Sequence, residues 1–404
     1  MSTKKKLYLE YFLLGFVILW SGGFFTYQMF PNWPYVLLVL SSFVMLKRGL
    51  KLEPKYIIVI AVFALVAIFQ AFIFYGPFTS VIQPTVRFLA IAMVAAIVRP
   101  NLNHVFIKIM AFFALVSLIF WFIDLTPIGH AILLNVGKRL PQFGADILTE
   151  INSERYETTN YSLYFYTVAE YKTAFVGFLN RNSGPFYEPG RFSIPLTIAM
   201  AMILYTGNYR KYKKYFLILL VASITTFSTT AYLTLITLYA GYYIGRSNAN
   251  GQYKFVMFVV VIIAAYYLMG LSFMGDKIVG AMGDTDLADT RFGAMFYHLP
   301  QIFLSPWIGF GPFLGKVFED LEMSPCGITD MMRIWGIPMF IVCLVLLYKG
   351  MPSYMENKKA FRVFFLMILL FMAYTQTIMS EPLYYLLYFI GGKKEGECYE
   401  IKRC

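Results

Sequence analysis

The chain has 404 residues, 59% of them hydrophobic, 19% aromatic and 14% charged, with a mean hydropathy of +0.63 and a net charge of +12. Soluble chains are about 45–50% apolar and about 25% charged, and a single water-soluble core stops growing near about 250–300 residues. These values exclude a soluble enzyme, a disulfide scaffold and a disordered chain. The surplus apolar surface calls for a bilayer as its solvent, so the expected class is an all-α, polytopic integral membrane protein. The positive charge is then a topology signal, because lysine and arginine collect on the cytoplasmic side. No fold that reads nucleic acid accompanies it.

Along the chain, Lys4, Lys5 and Lys6 precede an apolar run with no small-residue cleavage site, which predicts a retained first span rather than a signal peptide. Apolar stretches of about 20 residues predict spans near 8–27, 30–46, 56–75, 81–98, 104–123, 191–207, 255–273, 328–348, 362–380 and, shorter, 382–392. The thirty residues 216–245 predict either one tilted helix or two short ones that break at Thr225–Thr230. Charge decides for the break. With it, 23 of the 34 basic residues, from Lys4 to Arg403, fall inside against 6 of the 22 acidic ones. An unbroken helix would carry Lys358, Lys359 and Arg362 outside. The expectation is one transmembrane domain over 1–404, about 12 transmembrane helices, both termini cytoplasmic, and two long extracytoplasmic loops at 124–190 and 274–327. Cys326, Cys343, Cys398 and Cys404 imply no disulfide framework.

Polar sequence concentrates in those loops. The first ends in Arg181-Asn182-Ser183-Gly184-Pro185-Phe186-Tyr187-Glu188-Pro189-Gly190-Arg191, where glycines and prolines force turns. Two arginines and a carboxylate are thus held at the start of a span. The arginine fork suits phosphate oxygens, although an interfacial turn with a structural Arg–Glu pair reads equally well. The second loop carries Arg291 at the head of an amphipathic segment running to Leu304, which is expected to lie along the interface. Arg87 sits in the outer half of the fourth span, where charge is costly. His298 is the loop histidine able to act as a base, and Asp330 and Arg333 open a span and pair with each other. His104, His130 and His298 lack metal-ligand spacing, and no P-loop, dinucleotide fingerprint or nucleophile elbow is present.

The Arg181…Gly184…Phe186-Tyr187-Glu188-Pro189-Gly190-Arg191 signature, the Thr226–Thr230 break, and Arg291 followed by Ser305-Pro306…Gly309-Phe310-Gly311 together resemble the Wzy-type O-antigen and capsule polymerases of the O-antigen polymerase/ligase superfamily. The resemblance covers residues 180–340 by motif and the whole chain by layout. It implies a lipid-linked glycosyltransferase of the bacterial inner membrane. Undecaprenyl-diphosphate-linked repeat units would be polymerised at its outer face. Arg181, Arg191 and Arg291 would bind the diphosphate, and Glu188 would be the acceptor of the hydroxyl proton. Tyr187, Arg87, His298 and Asp330 would be accessory residues. No cofactor or metal is implied, because arginines can supply the charge neutralisation. The implied partners are lipid-linked glycans, membrane lipids and a chain-length-regulating co-polymerase. The ligase branch carries a histidine before the span that follows the second loop, where this chain reads Ser324–Asp330 without one. A ligase is therefore the alternative, and a repeat-unit flippase a more distant one.

Overall fold

The computed structural model describes residues 3–23, 32–140, 160–169, 180–246, parts of 251–263, 291–317 and 326–391. For residues 3–6, 291–296 and 315–316 it describes the backbone alone. The protein is mostly helical. Its helices are α1 (Thr3–Trp20), α2 (Trp33–Arg48), α3 (Pro54–Ile73), α4 (Thr79–Val98), α5 (Leu102–Asp124) and α6 (Pro127–Arg139). After a two-stranded hairpin, β1 (Asn160–Ser162) and β2 (Thr167–Ala169), follow α7 (Pro189–Tyr205), α8 (Tyr209–Thr225) and α9 (Thr229–Arg246). The chain closes with α10 (Arg291–Leu304), α11 (Gly327–Gly350), α12 (Lys359–Thr375) and α13 (Pro382–Phe389). Among the described residues, three helical stretches are long and apolar enough to cross a membrane: Pro54–Ile73, Thr79–Asp124 and Gly327–Ser353.

Proline writes several helix starts. Pro54, Pro127, Pro189 and Pro382 each occupy the first turn of their helix, where the missing N–H costs nothing and the fixed φ is already helical. In three of the four the preceding residue is a glutamate in extended conformation: Glu53, Glu188 and Glu381. A carboxylate there also complements the positive end of the helix dipole.

The packing order is inside-out with respect to chain position. α7 is buried from Gly190 to Tyr205, and α13 along its whole length. α5, α8, α9 and α12 surround α7, while α1, α4 and α11 surround α13. The outer surface of the bundle is strongly apolar, with Leu46, Phe72 and Ile58 more than half exposed. A face of that composition is what lipid contact requires.

Helix ends gather at two poles. At one, Glu10 of α1 meets Arg48 of α2 at 2.7 Å and accepts from Asn101. Glu53 meets Arg99, and Glu356 bonds Arg246 at the end of α9 and, through its backbone N–H, Tyr205 O at the end of α7. At the other, Gly22 and Gly23 after α1 meet Phe186 and Tyr187, while Asn182 meets Thr225 at the end of α8.

The chain does break within 216–245. Thr226–Ser228 form a turn between α8 and α9, with Phe227 in the left-handed region at φ 44°. Two expected spans differ in length. The 362–380 stretch stops being helical at Thr375, because Gln376 turns extended and residues 376–381 spend their side chains on partners elsewhere. The 328–348 stretch is interrupted at Gly336 (φ 80°, ψ 164°), whose neighbour Ile337 gives its N–H to Pro306 O instead of to its own helix. The stretch 124–190 is less of a loop than expected, since α6 and the hairpin lie within it. The predicted span 255–273 falls mostly outside the described residues.

Candidate functional site

The Arg181–Arg191 segment is fastened at the second pole by its own polar groups. The Asn182 amide donates to Ser117 Oγ and Thr225 Oγ1 at 3.2 and 3.0 Å, and its carbonyl takes the Gly184 N–H. Arg181 Nε donates to Thr226 O in the α8–α9 turn at 3.3 Å. The Phe186 carbonyl accepts from Thr167 on β2. Tyr187 N–H reaches Gly22 O. The segment therefore bridges α1, the hairpin and the α8–α9 turn before it enters α7.

Arg191, one turn into α7, is 5% exposed. Its Nη1 pairs with Glu381 Oε1 at 3.1 Å, Nη2 donates to Thr377 Oγ1 at 2.8 Å, and the guanidinium lies 4.9 Å from the centroid of the Tyr187 ring. Glu188 accepts from Gln376 Nε2 at 2.9 Å. The two Glu-Pro helix starts, Glu188-Pro189 and Glu381-Pro382, thus share one site, and the arginine of the first pairs with the glutamate of the second. This corrects the expected pairing: the carboxylate partner of Arg191 is Glu381, not Glu188. A small cavity of about 10 Å³, room for about one water molecule, lies against Arg191 and Glu381 and touches Ser21, Phe186 and Tyr384. Ser21 accepts from the Leu383 N–H at 2.7 Å.

Arg87 faces the same region from α4. Its guanidinium stands 5.4 Å from the centroid of the Trp20 ring, and its charge, like that of Glu381, reaches Tyr385 on α13. Depth along the helices follows from the rise of 1.5 Å per residue. Arg191 lies about 21 Å along α7 from Tyr205 at the first pole, and Arg87 about 18 Å along α4 from Arg99. Both distances are shorter than a hydrocarbon thickness of about 30 Å.

The second loop forms a separate cluster. α10 turns His298, Gln301 and Ile302 inward and leaves Phe303 and Leu304 exposed. His298 Nδ1 lies 2.9 Å from Thr329 Oγ1. Burial, and after it the charge of Arg333, lowers the His298 imidazole to about 3. That makes it a poor proton acceptor. Asp330 and Arg333 pair at 3.0 Å, as expected, and Arg333 also donates to Gln301. Gln70 of α3 clamps this cluster by donating to Ile308 O and Ile334 O at 2.5 and 2.7 Å. Arg291 stands at the head of α10, and its side chain lies outside the described residues.

A third group escaped the sequence reading. Asp124, at the end of α5 and 1% exposed, accepts from His130 Nδ1 at 2.7 Å, Tyr166 Oη at 2.9 Å and Asn180 Nδ2 at 2.6 Å. Burial, followed by the Asp124 charge and hydrogen bond, pushes the Tyr166 hydroxyl well above its ordinary range, so it stays a donor. Thr377, Glu381 and Gln376 were also missed. Their signal was legible in Thr375-Gln376-Thr377…Ser380-Glu381-Pro382, a polar run that repeats the Glu-Pro of residues 188–189 inside apolar sequence. Among the described residues no group of three or more histidines, cysteines and carboxylates is placed to hold a metal ion. No family model, curated protein or solved structure matches the chain.

Proposed function

We propose that the protein is a membrane-embedded glycosyltransferase that extends a glycan carried on a polyprenyl diphosphate, working at the second pole and on the outer face of a bacterial plasma membrane. One observation supports it above the others. Arg181, Glu188, Arg191 and the partners Gln376, Thr377 and Glu381 converge at one end of a bundle whose outer surface is apolar. A lipid-linked donor needs that combination: apolar helix surface for its tail and buried cations for its diphosphate.

Arginine binds phosphate oxygens through parallel N–H bonds. In this reading the donor diphosphate exchanges with Glu381 for the Arg191 guanidinium, and Arg181 holds it from the α8–α9 turn. As the sugar–oxygen bond breaks, negative charge grows on the leaving diphosphate. Cations fixed in a water-poor site stabilise that charge more than they stabilise the ground state. Glu188 orients the attacking hydroxyl by accepting a hydrogen bond. Polymerase is preferred to ligase on the absence of histidine from Ser324–Asp330.

The test is a reconstituted assay with purified lipid-linked repeat units. Wild type is expected to build a ladder of chains with EDTA present. Arg191→Ala and Arg181→Ala are expected to abolish it at equal amounts of folded, reconstituted protein, and the lysine variants to leave short chains, because lysine keeps charge without the planar fork. Full-length ladders from both alanine variants would refute the role given to these arginines.

A further inference from the structure

The reading above leaves the attacking hydroxyl with a proton to lose, and the Asp124 cluster is built to take one. A carboxylate accepts hydrogen bonds and cannot donate, so the 2.7 Å contact from Asp124 Oδ1 places the histidine hydrogen on Nδ1. Nε2 is left with its lone pair and makes no hydrogen bond among the described residues. The His130 side chain is 14% exposed, whereas Asp124 beneath it is 1% exposed. An imidazole backed by a buried carboxylate, with the far nitrogen free of a hydrogen bond among the described residues, is a base-and-orienter geometry suited to deprotonating a hydroxyl.

Position supports the same use. Asn180, whose amide donates to Asp124 and lies 3.4 Å from His130 Nδ1, immediately precedes Arg181. Tyr166, which donates to Asp124, immediately precedes Thr167, whose hydroxyl binds the Phe186 carbonyl two residues before Glu188. The dyad is therefore tied at both ends to the segment that carries Arg181, Glu188 and Arg191. Among the described residues, Asp124 from α5 bonds the ring and Tyr166 from the hairpin bonds Asp124. Lys138 on α6 lies over the Tyr161 ring instead, at 5.6 Å.

We propose that His130, held in place by Asp124, is the catalytic base of the transfer, a role that rests on the glycosyl-transfer reading. Its Nε2 takes the proton of the acceptor hydroxyl as that oxygen bonds to the anomeric carbon. The anomeric carbon–phosphate oxygen bond breaks, the electron pair leaves with the diphosphate, and the proton passes from the imidazolium to the departing diphosphate or to water. His130 is the catalytic residue and Asp124 a positioning residue.

His130→Asn keeps a donor for Asp124 near the place of Nδ1 and removes Nε2. In the reconstituted assay it is expected to lose at least about 100-fold in rate, the lower end for general base catalysis, with donor binding kept. The acid limb of the wild-type pH–rate profile is expected to vanish in it. Asp124→Asn is expected to lower the rate and distort the same limb. In His130→Ala, added imidazole is expected to restore turnover in part, which no structural role would produce. A near-normal rate in His130→Asn, or a lowered rate with an unchanged acid limb and no imidazole rescue, would overturn the proposal. So would loss confined to Glu188→Gln, which returns the base to Glu188. If wild type fails to join lipid-linked units at all, the glycosyl-transfer reading falls and the base assignment with it.

Discussion

The two poles of the bundle are both polar, but they use polarity differently. At the first, Glu10 is buried in its pair with Arg48, while two other carboxylates bridge helix ends at the surface. Glu53 takes Arg99 and Lys55 with roughly a third of its side chain exposed, and Glu356 takes Arg246 and Lys358 in the same way. At the second, the polar groups are sunk beneath non-helical backbone. Asp124, Asn182, Arg191 and Glu381 are each less than a tenth exposed. Solvent can replace a lost partner of Glu53 or Glu356 and cannot replace one of Arg191 or Glu381. Exposed pairs are worth about 0–1 kcal/mol, while breaking a buried pair costs about 3–5 kcal/mol because a bare charge is left behind.

The contrast can be broken most sharply by asking which pole faces out. Single cysteines in a cysteine-free background, placed at the exposed positions Asn135 and Lys213, are expected to differ completely toward an impermeant maleimide in spheroplasts, with Asn135 labelled and Lys213 protected. The reverse pattern would place the dyad and the arginines on the inner face and end the proposed chemistry.

Next in size is the charge pair. Arg191→Ala is expected to destabilise the purified protein by about 3–5 kcal/mol, leaving Glu381 unpaired. Glu381→Gln in the same chain is expected to recover most of that stability without recovering activity. Glu53→Gln at the first pole is expected to cost about 1 kcal/mol or less. Thermal unfolding in detergent measures all three, and equal losses at both poles would erase the distinction.

The smallest effect is the pH dependence set by His298. Its folded proton affinity is lowered to about 3, against about 6.5 for a free imidazole, so the unfolded chain binds a proton that the folded one refuses. The stabilisation is therefore whole above about pH 6.5 and is lost as pH falls from there toward about 3. Melting temperature is expected to drop by about 2 °C between pH 7 and pH 5, and His298→Gln to flatten that slope. A slope unchanged in His298→Gln would show that another group titrates.

Much of the architecture was legible because it rests on local chemistry. Apolar runs, proline in the first turn and the threonine-rich interruption at Thr225–Thr230 act within a few residues, so α3, α5 and the α8–α9 turn stand where sequence places them. The Arg181–Arg191 segment was legible for the same reason, since its glycines and prolines bend the chain whatever surrounds it. What sequence alone settled is the helical class, the apolar exterior and the presence of arginine and carboxylate ahead of α7. Tertiary structure settled the partners. Arg191 and Glu381 are 190 residues apart, and no periodicity reports a contact at that separation. Asp124 reads as the polar end of a span and His130 as a lone histidine, until the turn at Thr126-Pro127 folds α6 back and the hairpin supplies Tyr166. Local propensity determines where a helix starts and stops, whereas a buried polar group takes whichever partner the packing of distant helices brings within hydrogen-bonding distance.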